Sequence, residues 1–291
     1  MTETFTLEPY ITRYLESRVR MGEIKRKTAW EMRFTLMPFA EVFGRRPIAQ
    51  LGRAHVERWL ESIGHLAPST RRSKLSIVKV FCRWLVVQEY LKRDPSVAIR
   101  SPRQPRALPK VFDGDEVTKL LLTCQDARDR LIVLLMCQLG LRCIEVSRLE
   151  VGDISAEQVR VRGKFDHERV LPLVPEVRAA LNVYLGERRV TAGPLIQHAY
   201  HPGRGLTSHT IGDLVRRLCR DAGVKRMPGD GLSAHGLRRT CATDMLGAGA
   251  DIIDVAEALG HANLASVRHY AKYNLKGLET AMAGRTYGEG A

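Results

Sequence analysis

The stretch from residue 100 to residue 110 constrains this chain more than any other. It reads Arg100-Ser-Pro-Arg-Gln-Pro-Arg-Ala-Leu-Pro-Lys110, three prolines and four basic side chains in eleven positions. Each proline fixes φ and removes a backbone donor, so neither a helix interior nor a central strand can run through the segment. It is a semi-extended, positively charged linker. The chain must therefore fold as separate units on either side of a boundary near residue 106. The length of 291 residues, at about 150 residues per domain, fits a domain over 1–100, a linker over 101–110, a second domain over 111–274 and a tail over 275–291.

The segment before the linker reads as helices alone. Leu7, Ile11, Tyr14, Leu15 and Val19 recur at helical spacing. A second helix is expected over 28–42, with Pro38 kinking or restarting it. A short one covers 54–63, and the strongest covers 69–90, where Leu75, Val78, Phe81, Leu85 and Val86 form a stripe. Arg71, Arg72, Lys74, Lys79 and Arg83 are interspersed and mostly lie off that stripe.

Charge separates the two halves as well. Residues 1–106 carry 21 Lys+Arg against 10 Asp+Glu, a net of +11, and the remainder carries 25 against 22, a net of +3, of the total +14. An excess confined to one third of a chain reads as a nucleic-acid footprint, with a solvated basic surface as the alternative. The longest apolar run, Leu131 to Cys137, is far short of the roughly 20 residues of a membrane span. The opening residues MTETFTLEPY lack a basic and then apolar leader, so a cytoplasmic location is expected. The six cysteines form no CxxC pair, which fits reduced thiols, some of them small core residues.

After the linker, Asp113-Gly-Asp-Glu opens a helix to about residue 124, and 127–139 is apolar enough to be buried on every side. Gly140 is a plausible helix stop, and a short helix over 142–149 follows. Strands are expected at 153–154, 158–162 and 169–173, with 163–167 as the turn between the last two. Pro175 starts another helix. Further helices are expected over 208–222, 235–246, 251–259 and 264–270, with Ser208 and Asp251 as N-caps.

Several chemistries are excluded by motif. No GxxxxGK[ST] loop, GxSxG elbow or HExxH helix is present. His198 and His201, with His209 nearby, read as a polar loop rather than a metal site, because no cysteine or carboxylate ligand lies close by. What remains is a dispersed set of Arg, Lys, His and Tyr. Arg142 stands at a tight turn into a helix. Lys164 stands at a hairpin tip, near Arg160, Arg162 and Arg169. His235 and Arg238 share a helix face at i, i+3. His261 follows Gly260 at a helix end, and Tyr270 and Tyr273 come shortly after, with His269 adjacent.

The ordered set Gly140-Leu-Arg142-x-x-Glu145-Val146, Lys164, His235-x-x-Arg238, Leu259-Gly-His261 and Tyr270, nine residues after that histidine, resembles the tyrosine recombinase, or phage integrase, family. The resemblance extends over nearly the whole chain and points to the compact Xer-like enzymes and short phage integrases. It implies a mainly α protein: an N-terminal all-α core-binding domain of the SAM-like kind, and a mostly helical catalytic domain with a small antiparallel β-sheet. It implies that Arg142 and Arg238 hold the scissile phosphate, where planar, always-charged forks suit the oxygens. Tyr270 is then the nucleophile, forming a 3′-phosphotyrosine, and its spacing favours it over Tyr273. Lys164 protonates the departing 5′-oxygen, and His235 and His261 bond the phosphate or assist proton transfer. Glu145 matches a family position and reads as a brace for Arg142.

The same resemblance implies no metal, cofactor or ATP. The partners implied are double-stranded DNA with specific core sites, a homotetramer on synapsed DNA and an accessory or directionality factor, with no membrane. Exchange would pass through a Holliday junction, for integration, excision or a related rearrangement. Candidate DNA contacts are Thr70, Arg71, Lys74 and Lys79 on the helical domain and Arg103 and Arg106 on the linker. Leu275, Leu278 and Met282 would let the tail dock on a neighbouring protomer. Rival readings are a type IB topoisomerase and a catalytically silent DNA-binding accessory protein. If the two domains clamp DNA, the segment 107–291 alone will bind a target duplex more weakly than the full chain and with a shallower salt dependence. Equal slopes in a salt titration would contradict the clamp.

Overall fold

The computed structural model describes residues 6–103, 111–163, 168–224 and 233–260. The chain divides into two compact units, residues 1–107 and 108–291.

In the first unit, α1 (Glu8–Arg20), α2 (Arg26–Phe43), α3 (Arg53–Ser62) and α4 (Pro68–Val87) are the four α-helices among the described residues, and no strand occurs there. Proline in the first turn of α1 and of α4 occupies a position whose N–H has no helical partner anyway. α1 also has Glu8 in its first turn and Arg18 and Arg20 in its last, the favourable arrangement for the helix dipole. α2 packs against α1, α3 and α4. Tyr14, Phe39, Trp59, Phe81 and Leu85 are buried between them, and the Phe39 and Trp59 rings meet edge to face at 5.8 Å.

α2 departs from expectation by running unbroken through Pro38. The N–H that proline lacks would have paired with the carbonyl of Phe34, four residues back. Phe34 and Pro38 both lie on the exposed face, where water can take that carbonyl. Leu36 and Phe39, both fully buried, hold the two halves of the helix on one core.

The second unit contains α5 (Gly114–Thr123), α6 (Ala127–Cys137), α7 (Cys143–Val146), β1 (Gln158–Arg162), β2 (Glu168–Pro172), α8 (Pro175–Arg188), β3 (Gln197–His198), β4 (His201–Gly205), α9 (Ser208–Asp221), α10 (Ala234–Gly247) and α11 (Ile252–Leu259). A capping box opens α5: Asp113 accepts from the Glu116 N–H at 2.8 Å, and Glu116 accepts from the Asp113 N–H at 3.0 Å. α6 is buried from Leu131 through Cys137 and packs against α8 and α10. Thr240 of α10 accepts a hydrogen bond from the Phe112 N–H at 2.8 Å, which fixes the start of the unit to that helix.

β1 and β2 form an antiparallel pair with Val161 opposite Arg169 and Val159 opposite Leu171. Val159, Val161 and Leu171 face the core, so the alternation of apolar residues sets the register. Residues 151–153 form a 3-10 turn, and Ile154 makes a single bridge to Val159, where a strand was expected. The second pair, β3 with β4, replaces the expected polar loop. Thr207 rather than Ser208 caps α9, accepting from the Thr210 N–H at 3.1 Å. The expected helix over 264–270 and the tail lie outside the described residues.

Of the six cysteines, Cys82, Cys137, Cys219 and Cys241 are buried. Burial pushes the thiols of Cys137 and Cys241 up to about 12, so they behave as small protonated core groups.

Between α6 and α7 the chain reverses at Gly140, whose φ of +64° lies in the left-handed region. A Cβ there would stand 2.3 Å from Leu259 Cδ2 and 3.2 Å from Cys241 Sγ. Gly140→Ala therefore meets both backbone strain and overpacking. It is expected to lower folding stability by roughly 2–4 kcal/mol, read as a lower urea midpoint.

Candidate active site

The turn at Gly140 delivers the chain through buried Leu141 to Arg142, the residue that precedes the first turn of α7. Three residues on, Glu145 folds back. Its Oε2 accepts from the Arg142 main-chain N–H at 2.9 Å, and its Oε1 accepts from Arg142 Nη1 at 2.7 Å. Glu145 thus fixes both the backbone and the guanidinium of Arg142.

His235 and Arg238 lie on α10, one turn apart. Arg238 Nη1 donates to the carbonyl of Gly140, and its Nη2 donates to that of Leu259. Arg238 Nη1 also stands 3.6 Å from Glu145 Oε2. The end of α11 completes the arrangement. The Leu259 carbonyl accepts from Arg142 Nη1 at 3.4 Å, and the Gly260 carbonyl accepts from Arg142 Nη2 at 3.3 Å. Arg142 and Arg238, 96 positions apart in sequence, thereby meet at one carbonyl-bearing helix end, with Glu145 between them.

A third guanidinium enters from β2. Arg169 forks onto Glu145, Nη1 to Oε1 at 3.1 Å and Nη2 to Oε2 at 2.9 Å, and its Nε donates to the Ala258 carbonyl at 2.7 Å. The side chains of Glu145 and Arg238 are 2% and 3% exposed, that of Arg169 12% and that of Arg142 31%. Arg142 is therefore the member of the group most open to an incoming ligand.

Burial alone would push the Glu145 carboxyl up. The Arg169 hydrogen bonds, the Arg142 N–H and the charges of Arg169 and Arg238 outweigh it and hold the carboxyl below its ordinary range. Three cations thus share one carboxylate. The helix end adds only about half a negative charge. The site keeps a positive excess and suits a phosphate oxygen. His235 reaches the surface beside it. Partial desolvation, followed by the charges of Arg238, Arg239 and Arg142, lowers its pKa from 6.5.

Lys164, His261 and Tyr270 lie outside the described residues, as does Arg106. Lys164 falls in the connection between β1 and β2, and His261 directly follows Gly260. Of the other candidate DNA contacts, Thr70, Arg71 and Lys74 fall within about 100° of one another around α4, and Arg103 is exposed. Arg71 Nε is buried without a hydrogen-bond partner. Lys79 donates to the Ile99 carbonyl at 2.6 Å. Lys74 Nζ lies 3.4 Å from Thr35 Oγ1. Among the described residues no group of three His, Cys, Asp or Glu is placed to hold a metal, and no helix is long and apolar enough to cross a membrane. Sequence reasoning missed Arg169 as a member of the cluster. Its one signal was a basic residue five positions after Lys164, on the strand leaving the hairpin.

Residues 110–276 match the model of the phage integrase family. The tyrosine recombinase XerC of Myxococcus xanthus is 32% identical over 227 residues, covering 73% of this chain and 74% of its own length. A lambda integrase dimer bound to a COC' core site superposes with a TM-score of 0.79 at 16% identity, over 99% of this chain and 81% of that one. A lambda integrase tetramer bound to a Holliday junction gives 0.76 at 17% identity, over 90% and 79%. The chain belongs to the phage integrase family and is a tyrosine recombinase, an enzyme of DNA recombination.

The lowered pKa of His235 has a definite sign. Protonation is disfavoured in the folded chain, so this contribution to stability is complete above the unfolded value near 6.5 and is lost as pH falls through the folded value. A ring-proton NMR titration is expected to give His235 a pKa below 6.5, and Arg142→Ala is expected to raise it. No change in Arg142→Ala would mean that the two groups do not share a field.

Proposed function

We propose that the chain is a site-specific recombinase whose site is Arg142, Lys164, His235, Arg238, His261 and Tyr270. The observation that carries this reading is the meeting of Arg142 and Arg238 on Glu145 and the α11 end, beside His235. Two fixed guanidiniums there form a receptor for the nonbridging oxygens of a phosphodiester, and α11 leads straight into His261. Phosphoryl transfer needs positioning and charge stabilisation above all.

In the forward step the Tyr270 oxygen forms a bond to phosphorus, and the bond from phosphorus to the 5′-oxygen breaks. The phenolic proton passes to a base, for which His235 suits because its environment favours the neutral ring. The Lys164 ammonium supplies the proton that the 5′-oxygen takes up. The phosphotyrosyl ester retains the energy of the diester, so the 5′-hydroxyl of a second strand can reverse the step without ATP.

Residues 1–100 are the core-binding domain, 111–274 the catalytic domain and 275–291 a tail that docks on a neighbouring protomer. Thr70, Arg71 and Lys74 present a polar, cationic face of α4 to DNA, and the unpartnered Arg71 Nε is a donor that a phosphate would satisfy. Arg103 and Arg106 follow the backbone across the linker. Lys79, engaged with Ile99, contributes less. The relatives' complexes support core-site DNA as substrate, a homotetramer and a Holliday junction as intermediate. The protein works where DNA is, in the cytoplasm.

The test is a pool of nicked duplexes with randomised sequence, from which covalent protein–DNA adducts are captured under denaturing conditions. The wild-type chain should yield adducts enriched in one duplex, and Tyr270→Phe should yield none while Tyr273→Phe still does. Adducts that persist in Tyr270→Phe would move the nucleophile elsewhere.

A further inference from the structure

All three nitrogens of the Arg169 guanidinium are engaged. Two form the fork onto Glu145, and Nε caps the Ala258 carbonyl. Gly260, one residue before His261, passes so close that a Cβ on it would lie 3.0 Å from Arg169 Nη1. The φ of +60° at Gly260 is what lets the chain leave α11 over that guanidinium. Arg169 sits on β2, which pairs with β1 on the other side of the connection carrying Lys164. One side chain therefore joins the hairpin, the Glu145 carboxylate and the end of α11.

We infer that Arg169 is a positioning residue for strand cleavage, fixing the Glu145 carboxylate that orients Arg142. This inference rests on the active site proposed above. A carboxylate held by Arg142 alone could pivot about its side-chain torsions. The parallel fork from Arg169 removes that freedom because it fixes both oxygens in one plane. Lysine keeps the charge but cannot span two carboxylate oxygens and a carbonyl at once. The effect is on placement, so it falls on the cleavage rate and spares the affinity for DNA, which is spread over many phosphate contacts.

The experiment uses the full chain and the duplex recovered from the adduct selection, with adduct formation rate and duplex affinity measured together. Arg169→Met should slow adduct formation by about 100-fold and leave duplex affinity nearly unchanged. Arg169→Lys should restore only part of the rate. The double variant Arg142→Ala with Arg169→Met should be no slower than Arg142→Ala alone, because both losses pass through the same guanidinium. If Arg169→Met fails to fold, Arg169→Lys carries the same comparison, alone and combined with Arg142→Ala. A wild-type rate in either Arg169 variant, or losses that multiply in the double variant, would overturn the inference. Arg142→Ala separates the two ideas. A wild-type rate in that variant defeats the proposed site, whereas loss there with an unaffected Arg169 variant defeats this inference alone.

Discussion

The buried carboxylate of Glu145 is the interaction on which the second unit depends. Taking an ion out of water costs several kcal/mol even after relaxation. Glu145 tolerates this because three guanidiniums and one main-chain N–H surround it. The relation is reciprocal, since Arg238 is as deeply buried as Glu145. Removing the carboxylate would leave two nearly buried cations facing each other and Arg142 beside them. The polypeptide holds this group together by its carbonyls. Gly140, Ala258, Leu259 and Gly260 each turn a C=O toward an arginine. A helix C-terminus carries unsatisfied carbonyls and the negative end of its dipole, so α11 is a natural place to assemble cations.

That assembly depends in turn on two left-handed glycines. Gly140 lets α10 and α11 approach the chain reversal before Arg142, with Leu259 and Cys241 filling the space that a side chain would need. Gly260 ends α11 in the left-handed conformation, its N–H bonding back to Glu257 at 2.9 Å, hard against the Arg169 guanidinium. Local backbone freedom and long-range charge pairing are thus a single device. The glycines permit contacts that only the arginines reward.

Much of this was legible in the sequence, for definable reasons. The first unit's helices follow from the apolar periodicity of Ile11, Tyr14 and Leu15 and of Leu75, Val78 and Leu85, because a helix buried on one side repeats its contacts every turn. Pro38 misled because local propensity says nothing about which face is wet. The β3–β4 pair was invisible because His201-Pro-Gly-Arg-Gly205 has no alternation and no β-branched residue. Arg142, Glu145, His235 and Arg238 were picked out by their ordered motifs, but their convergence on the end of α11 is tertiary and leaves no local trace. Arg169 shows the limit best. On a strand whose neighbours Glu168 and Val170 are both exposed, an arginine looks like a solvated side chain until the fold places a carboxylate under it. Lys79 has a contact equally invisible in the sequence, a hydrogen bond to the Ile99 carbonyl twenty residues on.

The charge distribution acquires a physical meaning from these contacts. The first unit spreads its positive charge over exposed side chains, where attraction for a polyanion is additive and is screened over about 10 Å at 0.1 M salt. The second unit is nearly neutral as a whole, yet it concentrates three cations around one carboxylate in a partly water-excluded place. There the effective dielectric is lower and screening is weaker. Distributed charge suits holding a duplex in many registers. A fixed excess of charge suits recognising one phosphate in one orientation, because its guanidiniums are already desolvated and held before the ligand arrives. Under the proposed function, the unequal split between the two halves of the chain is a division between affinity and placement.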